Sequence, residues 1–219
     1  MNIVDFSKQK SVINQFVKEL RDVNYQKNRL LFRANLARIG QMMAFEISKT
    51  LNYSKKEVKT PLGTAQVDTF DDEIVVATIF RAGLPFHQGF LDVFDNAGNA
   101  FVSAYRYYKD KECEQVGIKI EYIATPDLNG KTLIIADPML ATGGSMELAY
   151  QALVTKGHPA HIHVASVVST PKAIEVVRQH LPEEKTTLWT CDIDEELNEH
   201  SYIVPGLGDC GDLLYGEKE

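Results

Sequence analysis

From about residue 74 onward the chain alternates short runs of branched apolar residues with stretches of helical character, and this alternation limits the fold more than any other feature. The β-branched run at 74–79, "KTLIIAD", "AHIHVASVVS" and "TTLWTCDID" read as strands. Between them, "RAGLPFHQGFLDVF" turns at Gly and Pro into a short helix, and "SMELAYQALVTKG" is a helix ended by Gly157. "TPKAIEVVRQH" is a helix with Thr170 as N-cap and Pro171 at its first position. Strands that are continuously apolar are buried on both faces, so the pattern predicts an α/β fold: a mostly parallel sheet flanked by helices on both sides.

Upstream, residues 11–50 read as helical. Phe32, Leu36, Ile39, Met43 and Ile47 recur at spacings of three and four, one stripe of a long amphipathic helix suited to core or a subunit contact. "TPLGTAQVDTFDDEIVVATIF" supplies a short strand and an Asp71-Asp72 turn, read as solvated acids, before the first apolar strand. "NAFVSAYRYY" and "VGIKIEYIA" form two strands around the polar "KDKECEQ", a hairpin with a mobile tip. A Gly-rich tail follows the last strand. With 219 residues and no internal repeat or low-complexity linker, the chain is expected to form one domain (1–219) with a helical arm (1–50), a core sheet (74–190) and a C-terminal segment (198–216).

A hydrophobic share of 44% against 24% charged predicts a sizeable core, and no apolar run approaches the roughly 18 residues of a membrane span. The first residues, "MNIVDFSKQKSV", carry no secretory pattern. Cys113, Cys191 and Cys210 are odd in number and lack CxxC spacing, which suits reduced thiols in a cytoplasm. A net charge of −7 argues against broad binding to a nucleic-acid backbone but leaves small anions open.

The stretch "TLIIADPMLATGGSM" bears the chemistry. In open parallel sheets ligands sit at the carboxyl ends of strands. Thr142, Gly143, Gly144 and Ser145 would present backbone amides at a helix start, where the dipole favours an anion, and Asp137 at the strand end could hold sugar hydroxyls or a metal-bound water. The alternative is a plain strand–loop–helix junction with Ser145 as N-cap. The loop matches neither GxxxxGK[ST] nor GxGxxG. In the tail, Pro205, Gly206, Gly208 and Gly211 make a bent backbone able to read the flat edge of a base. His158, His161 and His163 are read as structural, with no acid or Cys at ligand spacing. Cys210 has no apparent His or Asp partner for a nucleophilic role.

"DPMLATGGS", "RAGL" at 81–84, "YR" at 105–106 and "NEHSYIVPGLGDCGDLLYG" at 198–216 together resemble the uracil phosphoribosyltransferases. "FRANLARIGQMMAFE" matches that family's long helix more loosely. The resemblance implies a type I phosphoribosyltransferase fold with a small C-terminal hood. The implied reaction is transfer of the 5-phosphoribosyl group of phosphoribosyl pyrophosphate (PRPP) to uracil, giving UMP and pyrophosphate. It implies PRPP binding by Arg81, Arg106, Asp137, Pro138, Met139, Leu140, Ala141, Thr142, Gly143, Gly144, Ser145 and Asp209, and uracil binding by Ile203, Gly208, Asp209 and Cys210. Catalysis falls to Asp137, Asp209 and Arg106. Mg²⁺ is expected to ride in with PRPP, held mainly by ligand oxygens and water, and a homodimer or higher homo-oligomer is implied.

The chain departs from the family after Arg106, where an Asn or Asp and a Thr usually follow, in "LPFHQGF", and in "GDC" for the commoner "GDA". Two other readings remain at this point: an RNA-binding regulator on the same fold, disfavoured by the acidic charge, and an inactive nucleotide-binding relative.

Overall fold

The structure, a computed structural model, describes residues 1–108 and 116–217, with the side chains of 104–121 outside that description. The expected hairpin tip "KDKECEQ" at 109–115 and the Arg106 side chain therefore lie outside the described residues.

In chain order the elements are β1 (Asn2–Asp5), α1 (Val12–Arg21), α2 (Arg29–Ser48), β2 (Tyr53–Thr60), β3 (Gly63–Phe70), β4 (Ile74–Ile79), α3 (Leu84–Leu91), β5 (Gly98–Tyr108) and β6 (Val116–Ala124). They continue with β7 (Thr132–Ala136), β8 (Met139–Leu140), α4 (Gly144–Leu153), β9 (His161–Ser169), α5 (Pro171–His180), β10 (Thr186–Ile193), β11 (Glu196–Leu197), β12 (Ile203–Val204) and α6 (Cys210–Tyr215). The main sheet runs β1-β10-β9-β7-β4-β5-β6, with the short β8 paired to β9. Its pairings are parallel except that of β5 with β6.

Alternation within each strand divides the core in two, because successive side chains leave a strand on opposite faces. Ile74 and Val76 of β4 join Phe32, Leu36, Ile39, Met43 and Ile47 of α2 and Phe86 and Phe90 of α3. Val75, Ala77 and Ile79 face the other way, onto Met146 and Ala149 of α4 and Ile174 and Val177 of α5. The α2 stripe is fully buried, as its three-and-four spacing predicts, so truncating one of these side chains to Ala costs about 2–5 kcal/mol. Thr170 caps α5 as expected, its hydroxyl accepting from the Ala173 amide at 3.1 Å.

Four features differ from the sequence reading. The helical region breaks at 22–28, where Asp22 ends α1 and the Asn28 side chain caps α2. Residues 1–50 do not form an arm: α1 and α2 cover one face of the sheet with α3. Asn2–Asp5 adds an edge strand beside β10, a stretch to which the sequence reading assigned no element. The segment that stands apart is the β2–β3 hairpin, largely exposed along both strands. Its Asp71-Asp72 end is solvated at Asp71, which pairs with Lys56 at 2.7 Å on the surface, while Asp72 is half-buried and accepts from the Asn52 amide and the Thr132 hydroxyl.

Connections from β4 and β7 diverge. β4 leads through α3 to β5 on one side, while β7 leads through α4 to β9 on the other. Their carboxyl ends therefore open a crevice between Ile79 and Ala136, the place where open parallel sheets hold ligands.

Candidate active site

A cavity of about 670 Å³ lies at that crevice. The β4 end contributes Phe80, Arg81 and Ala82; the β7 end contributes Asp137, Met139, Ala141 and Ser145; the C-terminal segment contributes Ile203 and Gly208–Gly211. Residues separated by more than a hundred positions thus converge on one space.

The loop after β7 is fixed from behind. Pro138 gives its carbonyl to the Val167 and Val168 amides of β9, and Leu140 and Ala141 give theirs to the Thr170 amide (3.1 Å) and hydroxyl (2.6 Å). With these carbonyls turned away, α4 begins at Gly144 with Gly143 as N-cap, which offers no side chain to the first-turn amides. Those amides and the helix dipole are left to an anion. Ser145 stands exposed in that first turn and is not the cap.

Gly143 has φ +81°, and a β-carbon there would fall 2.7 Å from Val176 Cβ. Its lack of a side chain therefore serves packing against α5 rather than approach of a ligand. Pro138, Leu140, Thr142, Gly143 and Gly144 are not among the residues lining the cavity: the Pro138 and Leu140 carbonyls turn to the Val167, Val168 and Thr170 amides, and Gly143 packs against Val176 of α5.

Asp137 is almost fully buried, and desolvation pushes its carboxyl up to about 7, opposed only weakly by the Met139 amide at 3.5 Å. Asp209 is better satisfied: it caps α6 through the Asp212 amide at 2.9 Å and accepts from the Tyr202 hydroxyl at 3.1 Å. Arg81 donates to Asp212 at 2.6 Å and to the Gly216 carbonyl at 3.3 Å, while its buried Nε has no partner among the described residues. Cys210 is buried beside Asp137 and Asp209, and burial first, then those charges, push its thiol well above the ordinary range. It is therefore no nucleophile at neutral pH.

The sequence reading passed over Phe80, Ser103, Ser201 and Tyr202 on the cavity wall. Tyr202 adjoins the glycine turn and could have been found as a hydroxyl within a quoted motif; Ser103 carries no local signal. Of the histidines, His161 and His163 do share a strand face, with ring centroids 4.5 Å apart. The Trp189 indole donates to His163 Nδ1 at 3.0 Å, and burial pushes that imidazole down to about 3, so it is neutral.

A parallel sheet with an aspartate and an uncapped helix start at its switch point has the architecture of a phosphoribosyltransferase. The fold is shared with an adenine phosphoribosyltransferase from Trypanosoma brucei (TM-score 0.58, 12% identity, 100% of this chain and 91% of that one). It is shared more fully with a solved protein from Aquifex aeolicus (TM-score 0.84, 32% identity, 97% of each chain).

The family model described as uracil phosphoribosyltransferase matches residues 7–217. A relative of that name in Porphyromonas gingivalis is 55% identical over 218 residues, covering both chains completely. The chain belongs to the uracil phosphoribosyltransferase family.

Proposed function

We propose that the cavity between β4, β7 and the C-terminal segment is where this chain performs its family's reaction. The enzyme is a pentosyltransferase that transfers the 5-phosphoribosyl group of PRPP to uracil, giving UMP and pyrophosphate. One observation supports this location above others: Ser145 in the uncapped first turn of α4, Asp137, Arg81 and the Gly208–Cys210 turn all border a single space.

In this reading the 5-phosphate docks at the α4 amides, where partial positive charge is already in place. Asp137 accepts hydrogen bonds from the ribose hydroxyls, which favours its ionised form and offsets the desolvation. Arg81, a permanent cation with a planar fork, meets the pyrophosphate. Arg106, from β5, joins PRPP in the same reading. Peptide groups of Ile203, Gly208 and Cys210 take the pyrimidine edge, and Asp209 borders both ligands. Positive charge developing at C1′ is met by fixed geometry and nearby carboxylates, and no covalent enzyme intermediate is needed.

Mg²⁺ belongs to this proposal. Among the described residues no group of three or more His, Cys, Asp or Glu side chains is arranged to hold a metal ion. Mg²⁺ would ride in with PRPP, held mainly by ligand oxygens and water as it prefers, and Asp137 and Asp209, which face the same cavity, would add negative charge beside it. When bound it would neutralise the leaving group. A homo-oligomer and a cytoplasmic setting complete the reading.

The test is UMP formation from uracil and PRPP by the purified protein. Turnover that survives loss of Arg81 and Asp137 unchanged would remove the reaction from this cavity.

A further inference from the structure

We propose that Arg21 and Gln26, at the end of α1 and just beyond it, are positioning residues for uracil: they set the backbone of the turn that carries Gly208. The inference rests on the reading that Gly208–Cys210 takes the base. Neither side chain lines that cavity.

The turn is held by side chains that do not line the cavity. The Gly206 amide donates to Asp194 Oδ2 at 2.9 Å, and the Gly206 carbonyl accepts from Arg21 Nη1 at 3.2 Å. Arg21 in turn grips Asp194 through both amino groups, at 2.8 and 3.0 Å, and reaches Asp192 at 2.9 Å. One residue on, the Leu207 carbonyl accepts from Gln26 Nε2 at 2.8 Å, and the same amide also bonds the Leu20 carbonyl at 2.7 Å.

Gly206 has φ +55°, and a β-carbon would lie 2.2 Å from the Ile203 carbonyl, so the bend has no room to relax. Gly208 follows with φ +86° and borders the cavity. Every bond to the turn from α1 and its extension thus stops one residue short of the base site.

This layout has a chemical purpose. A peptide edge discriminates a pyrimidine by the order of donors and acceptors, which requires its carbonyls and amides to keep one orientation. A peptide plane in a glycine-rich bend rotates readily unless both its neighbours are tied. Asp194 is buried and Arg21 half-buried, so their forked ion pair is a firm anchor rather than a loosely solvated contact. Arg21→Lys keeps the charge but cannot reach two carboxylates and a carbonyl from one planar group.

The experiment measures steady-state KM for uracil and for PRPP, the uracil-over-cytosine ratio of kcat/KM, and thermal melting. The proteins are the unaltered enzyme, Arg21→Lys, Gln26→Ala and Gly208→Ala. We expect KM for uracil to rise about tenfold in Arg21→Lys and about threefold to tenfold in Gln26→Ala, with KM for PRPP within about twofold and base discrimination reduced. Gly208→Ala should raise KM for uracil more strongly, since Gly208 is read as touching the base.

Should Gly208→Ala raise it while Arg21→Lys and Gln26→Ala do not, or should those two raise both KM values in parallel with a fallen melting temperature, the positioning role is overturned. If Gly208→Ala leaves uracil kinetics unchanged, the base reading itself fails and the positioning role falls with it. Gln26 is half-exposed and outside the core, so its variant remains informative if Arg21→Lys fails to fold.

Discussion

Arg81 Nη2 donates to Asp212 Oδ1 at 2.6 Å, joining the turn after β4 to the C-terminal helix α6. The cation read as the pyrophosphate ligand is thus held by a carboxylate, and PRPP must compete with Asp212 for it. Asp212→Asn removes the competitor together with its repulsion of phosphate. PRPP should bind about threefold more tightly, while stability falls by no more than about 1 kcal/mol because both side chains are about one-third exposed. Isothermal titration with PRPP checks this, and weaker binding would show that Asp212 presents Arg81 instead of restraining it.

Asp137 gives a pH dependence of defined sign. Its carboxyl is raised from 3.8 to about 7 by burial, so the folded protein holds a proton that the unfolded chain releases above about pH 4. Stability should therefore fall as pH rises from about 4 to about 7, by about 2–4 kcal/mol in total. Asp137→Asn should flatten this fall, measured by urea unfolding across the range. In the enzyme, KM for PRPP should drop as pH rises through about 7, because the ionised carboxylate is the better acceptor for ribose hydroxyls. A flat profile would take Asp137 away from the ribose.

Gly143→Ala should cost about 2–4 kcal/mol, since it combines a left-handed backbone with a β-carbon 2.7 Å from Val176 Cβ. Adding Val176→Gly, which removes the β-carbon that alanine would keep, should recover most of the steric part, less about 1 kcal/mol for glycine within α5, and leave the backbone part. Denaturant unfolding of both proteins separates the two. Full recovery by the second substitution would mean that backbone conformation contributes nothing.

Cys210→Ala, which restores the commoner family residue, should leave uracil turnover within a few-fold, because a protonated, buried thiol does no chemistry here. Discrimination against cytosine should persist in it. Two mismatched buried groups cost about 1–3 kcal/mol each, hence roughly two to four powers of ten in kcat/KM. Similar kcat/KM values for the two bases would refute reading by the backbone.

Excess chelator should abolish UMP formation, and added Mg²⁺ should restore it, since the several negative charges of PRPP's pyrophosphate must be neutralised as it leaves, and Mg²⁺ suits such oxygen ligands. Undiminished turnover with metal verified absent is the contrary result.

Local pattern by itself determined the sheet strands β4, β7, β9 and β10, the α2 stripe from Phe32 to Ile47, and the Thr170 cap. Each depends on burial or bonding within a few residues, and period two, period three-to-four and cap chemistry are written at that range. The strand-end Asp137 and the glycine turn near 208 were legible for the same reason, helped by motifs that resemble a family.

Only the tertiary structure decided the rest. β1 exists because Asn2–Asp5 finds an open edge on β10, and β2, polar on most positions, is a strand because β3 pairs with it. The Arg81–Asp212 pair, the Arg21–Asp194 anchor and the Val176 contact behind Gly143 each join residues far apart in the chain. Such bonds leave no periodicity, because their energy depends on where chain folding brings a side chain and not on its neighbours in sequence.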